Sequence, residues 1–203
     1  MDGNAIDRDE TVGQEEIIKR KEETMYAKTP QEGGHMQPHL RALLRHFRDL
    51  RDGTHGDFAI SRADKERLFE SAVLFLDPYA RQVLEEINEV LLLGTGSISA
   101  TGPVTVADSG VAASWTLSWP EQRQGRLNPV VLQAFFGKGF HHPHLRGGTV
   151  GNWPLNVFSD TDAAAELPTL RTIASADLHN LVFQRDYRII PAITHAQASF
   201  SPQ

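Results

Sequence analysis

The chain has 203 residues, 40 % apolar and 23 % charged, proportions that suit one packed domain, and it contains no cysteine. That absence excludes disulfides, thiolate zinc sites and a cysteine nucleophile, and it fits a reducing compartment. A net charge of −6 argues against binding nucleic acid, which is driven by displacing counterions with Lys and Arg.

No apolar run reaches the roughly 18 residues of a membrane span. The acidic, polar stretch Met1–Glu10 is unlike a secretory signal. A soluble, cytoplasmic protein without nucleic-acid or membrane partners is expected.

Residues 1–36 are mostly charged and polar. Within them only Ile17, Ile18 and Met25 could anchor a helical segment. The segment reads as an extension that is flexible or docks on a neighbour, whether another copy or a partner subunit. A single domain over 37–193 and a loose tail over 194–203 complete the expected organisation.

A helical block follows. Pro38 suits a first helical turn, and Leu40, Leu43, Leu44, Phe47 and Leu50 form one apolar stripe that ends at Gly53. Arg41, Arg45 and Arg48 run beside it as a basic stripe, either a solvated face or a grip for an anion or acidic partner. Ser61 and Asp64 read as a capping pair for a second helix with Leu68, Phe69, Ala72, Val73 and Leu76 on its inner face. Asp77-Pro78 restarts a third, with Tyr79, Val83, Leu84, Ile87, Val90 and Leu91 inward and Gly94 as its cap.

After Gly94 the period changes to two. Val111, Ala113, Trp115, Leu117 and Trp119 alternate with small polar residues, as in a strand with one buried face. Shorter strands are expected over Val104–Ala107 and Gly96–Ala100. Pro120 stops the long strand, a polar loop covers Glu121–Leu127, and the apolar run Val130–Phe136 suits a central strand. Ser159 to Asp162 is a second capping pair, opening helical structure to about Leu181 with an interruption near Pro168. Tyr187–Ile190 is read as a final strand. The order gives an α+β fold: an N-terminal helical layer on an antiparallel sheet of three to five strands, closed by a C-terminal helix.

The stretch Phe140–Asn152 concentrates the chemistry. It sits in a Gly/Pro-rich loop and contains His141, His142, His144, Arg146 and Asn152, with Trp153 just beyond. In extended backbone His142 and His144 project to one face and His141 to the other. Such an H-x-H pair could ligate a divalent metal of open identity, with Pro143 stiffening it. A third protein ligand would then be needed, and Asp177, His179 and His195 are the candidates.

Without a metal, His142 or His144 could act as general acid or base. Arg146 would hold an anionic group, while Asn152, Trp153 and His141 would line the substrate. Both versions describe an enzyme or enzyme subunit acting on a small anionic or aromatic molecule by lyase- or hydrolase-type chemistry. The alternative is a non-catalytic interaction or assembly subunit in which the histidine loop is structural.

The order Trp119-Pro120, Asn128-Pro129, apolar strand, His142-Pro143-His144 and Trp153-Pro154 resembles the core of ubiquitin-conjugating enzymes over about 40 residues. It would imply at most a non-catalytic binding version of that fold, because the chain has no cysteine and His144 replaces the turn's asparagine. The long helical block also has no counterpart there, and the resemblance is not taken up.

Overall fold

The computed structural model describes residues 36–56, 58–106 and 110–198. The chain divides at Gln37/Pro38, and among the described residues every element lies in the unit that begins at Pro38. The extension read over residues 1–36 falls almost wholly outside the described residues.

Helix α1 (Pro38–Asp52) forms where it was expected, but its apolar stripe is not its buried face: Leu43 and Leu44 are only half-buried. Leu40, Phe47 and Leu50 are 49 %, 59 % and 47 % exposed, while His46 and Asp49 are buried. The two buried residues lie three apart and so share a helix face. A polar cluster, not a hydrophobic stripe, sets the orientation of this helix.

Helix α2 (Arg62–Val90) is one continuous helix, where the sequence suggested two. Ser61 caps it by accepting from the Asp64 amide at 3.1 Å. Pro78 interrupts the backbone ladder inside it, but Pro78 and Leu74 both lie on the solvent side. Water can satisfy the carbonyl that Pro78 leaves without a donor, so the helix continues. On the inner side Asp77 accepts the Trp115 indole N–H at 2.7 Å. The helix ends at a turn in which the Gly94 amide donates to the Asn88 carbonyl at 2.9 Å, with Gly94 at φ +72°.

The sheet is antiparallel with spatial order β1-β2-β3-β4-β5. Its strands are β1 (Ser97–Val106), β2 (Gly110–Ser118), β3 (Val130–Gly137), β4 (His144–Gly147) and β5 (Trp153–Pro154). The two short strands expected before β2 are one strand with a register irregularity between Thr101 and Val104. Trp115 lies opposite Leu132 and Leu117 opposite Val130, so the alternating residues share the core face as their period requires. The polar loop after Pro120 contains a short helix α3 (Pro120–Gln124).

Helices α4 (Asp160–Ala165) and α5 (Leu167–Gln184) are separated at Glu166, just before Pro168. Helices α2 and α5 both pack on the sheet and contribute Phe69, Leu76, Leu84, Leu170 and Leu178 to its core. The strand read at Tyr187–Ile190 is instead a 3-10 turn (Tyr187–Ile189). The Trp119 indole anchors it by donating to the Ile189 carbonyl at 2.6 Å. Helix α6 (Pro191–Ala198) continues past Thr194, where the sequence reading begins a tail. Among the described residues no helix is long and apolar enough to cross a membrane.

Candidate metal centre

The turn after α1 brings the first part of the site together. Gly53 takes φ +68° and ends the helix, and the Thr54 amide returns to the Asp49 carbonyl at 3.0 Å. His55 and Ala59 exchange two backbone hydrogen bonds, of 2.9 and 3.1 Å, which fixes the His55 backbone. Gly56, at φ +65°, has no room for a side chain: a Cβ there would lie 2.6 Å from the Phe158 ring. That ring packs against the His55 imidazole with centroids 4.9 Å apart.

The second part comes from the loop between β3 and β4. Arg62, at the start of α2, donates to the Phe136 and Gly137 carbonyls, both at 2.9 Å, and lies over the Phe136 ring. Buried Lys65, one turn further along, donates to the Gly53 carbonyl at 2.8 Å and the His141 carbonyl at 3.2 Å. A single ammonium thus braces the two chain segments that carry the site.

Between these segments three ligand-type groups converge: Asp49, His55 and His142. Their exposures are 3 %, 1 % and 1 %. His55 Nδ1 lies 3.1 Å from His142 Nε2, and Asp49 Oδ2 lies 3.5 Å from His142 Nε2 and 3.9 Å from His55 Nδ1. A triangle with these sides has a centre about 2.1 Å from every corner, the bond length of zinc to imidazole nitrogen or carboxylate oxygen.

The outer contacts suit the same arrangement. His142 Nδ1 donates to the Pro143 carbonyl at 2.9 Å, the tautomer that leaves Nε2 with its lone pair facing the centre. Asp49 Oδ1 accepts from the Thr54 hydroxyl at 2.8 Å, and Oδ2 accepts from the Gly56 amide at 3.3 Å, so the carboxylate is held from behind.

Protonation favours ligation too. Burial pushes the His55 pKa down to about 3, aided by the neighbouring His142 and opposed by Asp49. Burial also takes His142 down to about 4, against the raising effect of its bond to Pro143. Both imidazoles are therefore neutral near pH 7, the form that binds metals. In the absence of an ion, the 3.1 Å contact is an N–H···N hydrogen bond from His55 to His142.

His46 and His144 extend the cluster. The His46 ring meets His142 edge-on at 4.4 Å and His144 at 5.7 Å, centroid to centroid. Burial lowers the pKa of both. His46 Nδ1 is enclosed and has no hydrogen-bond partner, an unsatisfied site beside the trio.

The structure therefore brings His142 into the centre and leaves His144 next to it: their rings are 6.1 Å apart, with His46 against both. His141 is exposed, and its backbone, not its ring, contributes by accepting from Lys65. Arg146 lies on the sheet face opposite the core, donating to Gln133 at 2.6 Å with its guanidinium over Phe135. Asn152 shares an open depression with Arg146, whereas Trp153 lines a separate cavity beside α1.

None of the three residues considered as a further ligand lies in the cluster. Asp177 is occupied elsewhere, accepting from the Val131 amide and from the amide and hydroxyl of Thr149. His179 stacks on Phe183, and His195 is exposed on α6. The partners of His142 come from the N-terminal side instead. The signal for them was the His46-x-x-Asp49 spacing on α1, followed by His55 just past the helix-ending Gly53.

Comparison of the chain with protein-family models, with curated proteins and with solved structures finds no match.

Proposed function

We propose that this protein is a metal-dependent enzyme in which Asp49, His55 and His142 hold one divalent transition-metal ion. The observation that carries the proposal is the convergence of three buried ligand atoms on a point at bonding distance from each. Two neutral imidazoles and a carboxylate suit zinc, iron, nickel or copper more than magnesium or calcium. Three protein ligands leave a coordination position open, as catalytic sites require.

A bound ion would supply Lewis-acid polarisation of a carbonyl or phosphoryl oxygen. The chain's own contribution is positional. His46, with an unsatisfied ring nitrogen, stands where a general acid or base would exchange a proton with a bound molecule. His144 lies beside it, with ring centroids 5.7 Å apart. A small anionic molecule processed by hydrolase- or lyase-type chemistry, in the cytoplasm, is the reading that fits these groups.

One observation favours a second reading. The trio is almost fully buried, which suits an ion that staples the turn after α1 to the β3–β4 loop in a non-catalytic subunit. Cobalt substitution separates the two. Purified protein is stripped with chelator, reloaded with one equivalent of cobalt(II), and its visible spectrum is followed as azide is added. The enzyme reading expects stoichiometric uptake and a spectral change from azide entering the open position. Uptake with a spectrum indifferent to azide supports the staple. No uptake overturns both.

A further inference from the structure

Strand β1 forms one edge of the sheet and pairs only with β2, and among the described residues no backbone hydrogen bond reaches its outer side. Its ten residues, Ser97–Val106, include no charged side chain. Native sheets blunt such an edge with lysine, proline, a bulge or a covering segment. Here Gly102-Pro103 and the register irregularity they occupy blunt the second half alone. The first half, Ser97–Thr101, runs in unbroken register along β2 and alternates exposed Ser97, Ser99 and Thr101 with half-buried Ile98 and Ala100.

Ile98 and Ala100 pack against the core, which ends at this open margin. The turn that feeds the strand exposes more apolar surface: Val90, Leu91 and Leu93 are 67 %, 36 % and 49 % exposed. The Gly96 amide donates to Asn88 Oδ1 at 2.8 Å, which ties the end of α2, and that turn with it, to the start of β1. The sheet's other edge is different. It is β5, two residues long and ending in Pro154, which has no N–H to donate.

We propose that β1 is the contact between two copies of this chain, paired antiparallel through Ser97–Thr101 about a twofold axis at Ser99. An uncharged strand meets its own uncharged copy there, although each chain carries a net charge of −6. Centring on Ser99 sets Ser97 against the partner's Thr101 and Ile98 against the partner's Ala100, so polar residues share one face and apolar residues the other. The two cores then join across the axis, and Ile98 and Ala100 are covered. Pairing stops at two copies, because each chain has used its long edge and β5 is too short to accept another strand. A strand pair of this length is small for an interface, so Val90, Leu91 and Leu93 are expected to close in at its margin. The proposal does not rest on the metal reading.

The test is sedimentation velocity on the full chain from about 2 to about 200 µM, which spans weak to moderate affinities. The expected result is a monomer–dimer equilibrium without larger species. Ser99→Lys places like charges opposite each other from an exposed position, and should raise the dissociation constant at least about tenfold with the monomer's melting temperature retained. Because the chain has no cysteine, Ser99→Cys adds a single reporter. It should give a disulfide-linked dimer under mild oxidation, since directly opposed residues of antiparallel strands lie within disulfide reach, whereas Val106→Cys should not. A monomer throughout the range overturns the proposal and leaves the edge to a strand from a different protein. A dimer indifferent to Ser99→Lys overturns it too, as does cross-linking at Val106→Cys in preference to Ser99→Cys, or an open series of larger species.

Discussion

His55 Nδ1 lies 3.1 Å from His142 Nε2, although the two residues are 87 positions apart in the chain. Each imidazole is held by its own backbone environment: His55 by its paired bonds with Ala59, His142 by the Pro143 carbonyl. Their meeting is therefore a property of the folded scaffold, and it makes the following outcomes expected.

Removing a ligand should remove the metal. His55→Ala, His142→Ala and Asp49→Asn should each lower metal content from near one ion per chain to background, as measured by elemental analysis of reloaded protein. His144→Ala and His141→Ala should retain the ion. Wild-type protein should melt higher when loaded than when stripped, because a ligand bound only by the folded state stabilises it. Loss of the ion in His144→Ala with retention in His142→Ala would reverse the assignment.

The stripped protein should weaken in acid. His55 and His142 have folded-state pKa values of about 3 and about 4, lowered from the ordinary 6.5. Below pH 6.5 the unfolded chain takes up protons that the folded chain refuses, so stability falls as pH drops from about 6.5 toward 4. Each group contributes at most about 1.4 kcal/mol per pH unit in that window. Above pH 7 neither adds a slope. Urea midpoints of stripped protein at pH 7.5, 6 and 5 measure this, and His142→Gln should flatten the trend.

Lys65 should matter without being a ligand. Its ammonium joins the Gly53 and His141 carbonyls, so Lys65→Met leaves all three ligands in place while releasing both segments from their brace. Metal affinity should fall about 10- to 100-fold, the usual effect of removing groups that support ligands. Competition with a chromogenic chelator reads this directly, and unchanged affinity would show that the brace is dispensable.

The core offers an independent check on the fold. Leu117 is fully buried opposite Val130, and Leu117→Ala should cost about 2–5 kcal/mol in chemical denaturation. Metal stoichiometry should not change. A cost below about 1 kcal/mol would contradict the assignment of this strand face.

The fold was legible wherever one period dominated. The alternation from Val111 to Trp119 gave both the strand and its buried face, and the capping residues Ser61 and Ser159 gave helix starts. Local signals misled where tertiary context decided. Pro78 looks like a helix start in sequence, yet it lies on a solvent face where the helix can pass through it. The stripe of α1 looks like a core face, but the helix is turned so that His46 and Asp49 are buried. For the site, the histidine loop was visible as a cluster along the chain, and His142 belongs to the centre. Its partners left only the short spacing signal on and just after α1, which acquires meaning once the β3–β4 loop is placed beside Asp49 and His55.

The ligands are supplied by two stretches separated by α2 and the first three strands. During synthesis Asp49 and His55 emerge long before His142, and until the β3–β4 loop arrives they form only part of a binding site. If the site holds the proposed ion, its capture would be a late event that reports completed folding rather than guiding its first steps. A chain truncated after β3 would lack His142 and should leave the ion behind even if its helices form. Metal uptake followed over time after dilution from denaturant should track the slowest folding phase.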